Sequence, residues 1–379
     1  MHPGTIIAFC HLRWDFVYQR PQHLLSRLAR RYQIVVVEEP VHDPGNEPHW
    51  EVRRIAPQLT IYRPHTPDDE AGFGPRQRTL LGPLIDELCA QLPAGPRICW
   101  LYTPLAISLA RRLEPEAVVY DCMDELSLFA GASPELLPSE TELLAWADVV
   151  FTGGPSLYRA KRDRHHNVHC FPSSVDAAHF GQARPGGMAP EAVDQRGLPC
   201  PRLGYFGVLD ERLDRSILEA LAESHPEWSL VLVGPVVKID PGSLPRRSNL
   251  LYTGQRAYEE LPSYLGGWDV CLLPFARNDA TRFISPTKTL EYMAAERPIV
   301  STPIADVAEP YHEVVRLADG PEEFVHACEA ALAADPADRA ARTERMRAVL
   351  ARTSWDATVA SMERLVSRAV GHAVGALRS

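Results

Sequence analysis

The chain has 379 residues, 45% of them hydrophobic, and a formal net charge of −10. This size allows two domains with buried cores, and the acidic balance without a long basic block argues against general nucleic-acid binding. No segment approaches the roughly 18–20 apolar residues of a membrane span, and the eight cysteines include no CxxC pair. We therefore expect a soluble cytoplasmic protein.

Strands and helices alternate through the first part of the chain. Strands are predicted at 5–11, 33–39, 97–103, 117–122 and 149–152, and helices near 19–31, 76–92 and 139–147. This rhythm is typical of a mostly parallel sheet, so residues 1–180 are predicted to form one Rossmann-like domain.

A second domain is predicted after a linker at 181–201, a stretch with Pro and Gly and few periodic apolar residues. Strands then recur at 202–209, 229–236, 250–253, 270–275 and 298–303, with helices at 214–223, 258–266 and 286–295. The second Rossmann-like domain is predicted to span 202–353, followed by an amphipathic helical segment at 354–379.

The segment 283–295, FISPTKTLEYMAA, is the most informative of the chain. Ser285 is predicted to cap a helix and Pro286 to occupy its first position, so that the N–H groups from Thr287 onward point at an anion. Lys288 places a positive charge at the positive end of the helix dipole, which is unfavourable. A diphosphate bound at this point would offset that cost. Glu291 follows at i+3, within reach of ribose hydroxyls. The alternative is an ordinary capped surface helix with a solvated Lys–Glu pair.

On these residues, and on the PIVST strand that follows, positions 203–310 resemble the nucleotide-binding domain of GT-B glycosyltransferases, in particular the retaining family 4. The segment 13–24, RWDFVYQRPQHL, resembles a subgroup associated with bacterial cell-surface polysaccharide synthesis. The resemblance implies a GT-B architecture: two Rossmann-like domains face each other across a cleft, and the last helix crosses back to the first domain.

The chain departs from that family's pattern at several places. Phe283 stands where the family usually has a first glutamate, and Gly207 is followed by Val208 where members commonly have arginine. Arg212 lies near the expected lysine position, and Arg282 is a second candidate cation that is equally well interpreted as a surface arginine. The base of the nucleotide is expected to bind the backbone around Gln255 and Arg256.

Aromatic and polar residues follow the first strand, where they suit a sugar because rings cover C–H surfaces while polar groups bind hydroxyls. The candidates for substrate binding are Trp14, Asp15, Tyr18, Arg20, Gln22 and His23. Alternatively, the aromatic residues fill the domain interior and Arg20 pairs with Asp15.

Asp121 and Asp124 follow another strand, where family members often carry a histidine-aspartate pair that touches the donor sugar. Met123 replaces the histidine here. Asp124 is a candidate for binding sugar hydroxyls or assisting deprotonation of the acceptor, and its alternative role is a helix cap.

The predicted function is transfer of a sugar, UDP-linked by preference, to a glycan or lipid-linked acceptor. Asp124, Arg212 and Lys288 are the candidate catalytic residues, with no metal and no cofactor beyond the nucleotide-sugar donor. If configuration is retained, as the resemblance implies, the leaving diphosphate itself takes the acceptor proton. Peripheral membrane attachment is compatible with a lipid-linked acceptor. Two alternatives remain: a catalytically silent sugar-binding scaffold and a nucleotide-sugar epimerase.

Overall fold

The computed structural model describes residues 4–376, which form two units. The first contains the chain up to Ser127, Gly131–Pro172 and the chain from Asp356 onward. The second contains Leu128–Ala130 and Ser173–Trp355. The predicted linker lies within the second unit, where the side chain of Gln195 is buried and accepts a 3.1 Å hydrogen bond from the Trp268 indole.

The first unit contains a sheet in the order β3-β5-β2-β1-β6-β7-β8-β9, with β4 paired to β5. All pairings are parallel except β4 with β5. Its strands are β1 (Thr5–Cys10), β2 (Gln33–Glu38), β3 (Val41–His42), β4 (His49–Ala56), β5 (Leu59–Thr66), β6 (Arg97–Leu101), β7 (Ala117–Cys122), β8 (Val149–Thr152) and β9 (Val168–Cys170). Its helices are α1 (Arg20–Leu28), α2 (Pro75–Gln91), α3 (Ile107–Arg111), α4 (Leu136–Trp146) and α5 (Pro155–Lys161).

The second unit contains a parallel sheet in the order β12-β11-β10-β13-β14-β15. Its strands are β10 (Arg202–Phe206), β11 (Ser229–Val233), β12 (Leu250–Gly254), β13 (Val270–Leu273), β14 (Ile299–Ser301) and β15 (Val315–Leu317). Its helices are α6 (Ala177–Gly181), α7 (Arg215–Ser224), α8 (Leu261–Leu265), α9 (Thr287–Ala294), α10 (Ala305–Tyr311), α11 (Pro321–Leu332) and α12 (Pro336–Leu350).

The central strands are apolar runs because helices cover both faces of a parallel sheet. Every residue of β1, β7, β10, β11 and β13 is buried. The predicted α/β class with two Rossmann-like domains is confirmed.

The last helix, α13 (Trp355–Ala376), lies in the first unit from Asp356 onward. Ion pairs join it to the turn after α1: Arg30 lies 2.7 Å from Asp356, and Arg31 lies 2.7 Å from Glu363. The chain therefore returns to its first domain, as the fold prediction requires. Within the described residues, no helix is both long and apolar enough to cross a membrane.

Each sheet changes direction of strand order at one point, between β1 and β6 in the first unit and between β10 and β13 in the second. Loops on either side of such a point leave a crevice at the carboxyl ends of the strands, where open α/β sheets bind ligands. The candidate residues follow β1 and β7 in one unit and β10, β12 and β13 in the other.

Candidate active site

Helix α9 begins one residue later than the sequence analysis predicted. Pro286, extended at φ −72 and ψ 119, is the N-cap, so Ser285 is not, and no side chain caps the helix. The ψ of 119 at Pro286 is extended and not helical, so the helix begins at Thr287. Lys288 consequently occupies the second helical position, still within the positive first turn.

Gly207 and Lys288, 81 positions apart in the printed sequence, are in contact. Gly207 follows β10 with φ +140, and a Cβ there would lie 2.2 Å from Lys288 Cε and 2.6 Å from its Nζ. The Lys288 ammonium also lies 5.6 Å from the centre of the Tyr205 ring. Glycine adopts this φ without strain and leaves space for the lysine where it lies, so the loop after β10 and the start of α9 bring a cation to the point where strand order reverses.

Glu291 lies one turn further along α9 and is only 7% exposed. Its side chain makes no hydrogen bond to any residue in the described part of the chain. Burial raises its pKa from 4.5 to about 7, and the nearby charge of Lys288 lowers it in part. A buried carboxyl without donors is expected where a ligand supplies them.

Other polar atoms at the same edge of the second sheet are also buried. Both carboxylate oxygens of Glu211, after β10, and the hydroxyls of Thr289 in α9 and Thr302 after β14 have no hydrogen-bond partner within residues 4–376. Buried polar groups are normally paired in proteins, so these atoms are candidates for contact with a polar ligand. The sequence analysis missed Glu211 and Thr302, because burial distinguishes them from ordinary polar residues.

The guanidinium of Arg212 is bound by a neighbouring carboxylate. Its Nε lies 3.0 Å from each oxygen of Asp210, and its Nη2 lies 2.6 Å from Oδ2. Asp210 is only 5% exposed. Arg212 is thus positioned in the loop after β10, with part of its charge offset by Asp210.

The three other predicted residues of the second unit differ in their surroundings. Gln255 is exposed after β12. Arg256 donates to Tyr264 at 2.6 Å and to Asp194 at 2.8 Å, so its guanidinium already binds protein groups. Arg282 is exposed, with its guanidinium 5.1 Å from the centre of the Phe283 ring.

In the first unit, the loop after β1 is held by a residue that the sequence analysis did not identify. Glu38, fully buried at the end of β2, accepts the Trp14 backbone N–H at 2.7 Å and Arg63 Nε at 2.6 Å. Gln22 donates to the Trp14 carbonyl at 2.9 Å and to that of Val17 at 3.0 Å. The loop has a defined conformation, with Trp14 half-buried at its start.

Arg20 and Asp121 are brought together, but inside the domain. Asp121 is fully buried and receives Arg20 Nε at 3.0 Å, Arg20 Nη2 at 2.8 Å and Trp100 Nε1 at 3.3 Å. Arg20 also donates to the Phe171 carbonyl at 2.7 Å. The alternative pairing of Arg20 with Asp15 is therefore wrong, because the buried carboxylate at the end of β7 takes the guanidinium instead.

The remaining candidates of the first unit differ in exposure. Asp15 is exposed and pairs with Arg53. His23 is buried with its ring perpendicular to that of Tyr18, their centres 4.7 Å apart. Asp124 is half-buried after β7, and its carbonyl accepts the Cys122 thiol at 3.6 Å.

Comparisons with known proteins concern the family and the fold. Residues 200–334 match the family described as "Glycosyl transferases group 1". Over 279 residues the chain is 26% identical to the putative teichuronic acid biosynthesis glycosyltransferase TuaH of Bacillus subtilis, covering 67% of this chain and 68% of that protein.

Solved structures share the fold over nearly the whole chain. Sucrose-phosphate synthase from Thermosynechococcus elongatus has a TM-score of 0.72 at 17% identity, covering 96% of this chain and 98% of that one. An E. coli structure described as trehalose-6-phosphate bound with UDP-2-fluoro glucose has a TM-score of 0.67 at 14% identity, covering 96% and 99%. Anabaena HepE in complex with UDP and glucose has a TM-score of 0.67 at 12% identity, also covering 96% and 99%.

Proposed function

We propose that this chain, a glycosyltransferase of the GT-B fold with a group 1 domain, transfers a sugar from UDP to a glycan or lipid-linked acceptor with retention of configuration and without a metal. The observation that carries the proposal is the contact of Lys288 with Gly207 at the start of α9, one turn before the buried Glu291. This arrangement offers a cation and a carboxyl side by side, which are the groups that a nucleoside diphosphate requires.

The diphosphate would bind at the start of α9. The helix dipole and the Lys288 ammonium both favour negative charge there, and Gly207 lets the ligand approach the backbone closely. Arg212 would add a weaker contribution because Asp210 already binds its guanidinium in two places. In the transfer step the same groups would stabilise the charge that develops on the leaving diphosphate.

The ribose would bind Glu291. As a carboxylate, this side chain accepts hydrogen bonds from two adjacent hydroxyls, and those bonds favour its ionised form. Nucleotide binding should therefore lower the pKa of Glu291 from about 7. The Glu291 carboxyl lacks hydrogen-bond donors in the protein alone and would gain them in the complex.

In the reaction, the bond between the anomeric carbon and the diphosphate oxygen breaks while a bond forms to the acceptor oxygen. The acceptor proton passes to the departing diphosphate, so no protein base is required. Asp124 would bind hydroxyls of the sugar or of the acceptor.

UDP is supported by two structural neighbours whose descriptions include UDP or a UDP sugar. A surface-polysaccharide acceptor is supported by the similarity to TuaH, a putative teichuronic acid biosynthesis enzyme. A lipid-linked acceptor would require the protein to work at the inner face of the membrane as a peripheral protein.

Thermal unfolding in the presence of UDP, GDP, ADP and TDP tests the donor assignment, because a ligand that binds only the folded state raises stability by mass action. We expect the largest rise with UDP and a much smaller rise in Lys288→Ala. Arg339→Ala, which removes an exposed cation from the start of α12, is the matched control and should respond as wild type. If UDP raises the unfolding temperature of Lys288→Ala and of wild type equally, Lys288 does not belong to the site. If only another nucleotide raises it, that nucleotide replaces UDP as the proposed donor nucleotide.

A further inference from the structure

Three potential metal ligands converge at the edge of the first sheet, among residues outside the proposed site. Asp43 Oδ2 lies 3.5 Å from His65 Nδ1 and 3.9 Å from His49 Nε2, and each of the three residues offers one ligand atom within 4.8 Å of the other two. Asp43 and His65 are partly buried and His49 is about half exposed. Bond lengths of about 2.0–2.2 Å in a tetrahedral zinc site imply ligand separations of about 3.4 Å, so small side-chain rotations suffice.

The outer nitrogen of each histidine already faces an acceptor. His49 Nδ1 lies 3.0 Å from the Glu47 carbonyl oxygen, and His65 Nε2 lies 3.2 Å from Glu51 Oε2. A carbonyl and a carboxylate only accept hydrogen bonds, so these nitrogens carry the protons. In neutral imidazoles the other nitrogens, which face Asp43, are then lone-pair acceptors.

The three atoms that face one another are therefore all acceptors. A cation or donors from water can satisfy them, and the two imidazole rings are stacked with their centres 5.0 Å apart. A single metal ion satisfies all three acceptors at once.

We propose that Asp43, His49 and His65 bind one Zn²⁺-class divalent transition metal ion, with water completing the coordination. Two imidazoles and a carboxylate are a ligand set that zinc accepts. The outer contacts to Glu51 and the Glu47 carbonyl, together with a 2.9 Å hydrogen bond from Asn46 to Asp43 Oδ1, are of the kind that orients metal ligands.

The backbone fixes the ligands before any metal binds. His49 and His65 are direct partners in the antiparallel β4–β5 pair. Asp43 follows β3, which pairs with β5, and its N–H donates to the Thr66 carbonyl at 2.7 Å. A metal would therefore crosslink three neighbouring segments and stabilise the β3–β4–β5 edge.

The site would also act on the loop after β1 through a line of charged contacts. Glu51, which faces His65, lies 3.3 Å from Arg63, and Arg63 lies 3.7 Å from Asp15. A metal that holds His65 would hold Glu51 and, through it, Arg63. The proposed role is structural and separate from the transfer chemistry, so it is independent of the donor assignment above.

Titration calorimetry with ZnCl₂ on the full chain, stripped with EDTA and then freed of it, tests the site. We expect one saturable Zn²⁺ per chain and a rise in the unfolding temperature that follows occupancy. His49→Ala and His65→Ala should lose about 100-fold or more in affinity, and Glu51→Gln, which changes a partner of His65 but no ligand, about 10- to 100-fold.

His42→Ala and His312→Ala are the controls, because each removes an exposed histidine outside the ligand set. Both should bind Zn²⁺ as wild type does. Circular dichroism establishes that every variant is folded. Absence of saturable binding to wild type, or wild-type affinity in folded His49→Ala and His65→Ala, would overturn the proposal.

Discussion

Two buried carboxyl groups, one in each domain, have opposite surroundings. Asp121, fully buried, receives hydrogen bonds from Arg20 and from the Trp100 indole. Glu291, 7% exposed, makes no side-chain hydrogen bond to the described residues and has only the field of Lys288 nearby. Both residues were predicted to bind ligands.

The difference separates an acid that is fully paired within the protein from one whose hydrogen bonds are left for a ligand. A buried ion pair whose hydrogen bonds are complete has little to offer a substrate, and it fixes α1 against the end of β7. A buried carboxyl without donors costs stability in the free protein, and this cost is recovered when a ligand supplies the missing bonds. The second domain therefore carries the clearer evidence of a binding site.

The largest effect should come from breaking the complete pair. Arg20→Met leaves Asp121 buried without its cation, which should destabilise the protein by about 3–5 kcal/mol in urea unfolding. The double variant, which carries both Arg20→Met and Asp121→Leu, should recover most of the lost stability. Arg30→Met removes an exposed partner of Asp356 and should cost at most about 1 kcal/mol. If Arg20→Met and Arg30→Met lose the same free energy of unfolding, the buried pair contributes no more to stability than the exposed one.

Glu291→Gln should have the opposite effect on stability. Because the pKa of Glu291 is raised from 4.5 to about 7, its contribution to stability is fully present below pH 4.5 and is lost as the pH rises to about 7. Each pKa unit corresponds to about 1.4 kcal/mol, so the neutral variant should be more stable than wild type by up to about 3 kcal/mol at pH 8. Unfolding curves at pH 8 and pH 5 should differ accordingly. If the difference in the free energy of unfolding between wild type and Glu291→Gln is the same at pH 5 and at pH 8, the raised pKa of Glu291 is contradicted.

Gly207→Ala should weaken diphosphate binding as Lys288→Ala does, by roughly 1.5–3 kcal/mol, because its Cβ would displace the lysine side chain. Gly95→Ala is the matched control: Gly95 has the same φ of +140, but no atom lies within 4 Å of its added Cβ. Both variants share the backbone strain, and only Gly207→Ala should lose affinity for UDP in calorimetry. Unchanged affinity in folded Gly207→Ala would separate the glycine from the site.

The ribose contact can be measured apart from the phosphate contact. Glu291→Gln keeps the size of the side chain but removes its charge, so it should cost on the order of 1–3 kcal/mol in binding of UDP at pH 8. With 2′,3′-dideoxy-UDP the same substitution should have no effect. An equal loss with both nucleotides would mean that Glu291 does not contact the ribose.

The smallest expected effect is that of chelation on sugar transfer. The proposed diphosphate site relies on Lys288 and helix N–H groups, so turnover should survive EDTA. His65→Ala, assayed with and without EDTA, distinguishes the proposed zinc site from the transfer step. Activity lost on chelation in both proteins and restored by Mg²⁺ would contradict a metal-independent reaction.

The sequence by itself determined the fold class and indicated where the proposed donor site lies. Buried parallel strands are continuous apolar runs, and a proline and a first-turn lysine mark the start of α9; such local patterns can be read without tertiary contacts. The predicted N-cap of α9, Ser285, was wrong by one residue. The structure places the N-cap at Pro286.

Only the tertiary structure decided which predicted residues are available to a ligand. Arg20 and Asp121 are 101 positions apart, and Gly207 and Lys288 are 81 apart, so their contacts leave no local signal. The ligand set of Asp43, His49 and His65 was missed because sheet pairing, not sequence spacing, brings it together. Burial and partner choice depend on the whole packed domain, and these two properties distinguish a structural charge from a functional one.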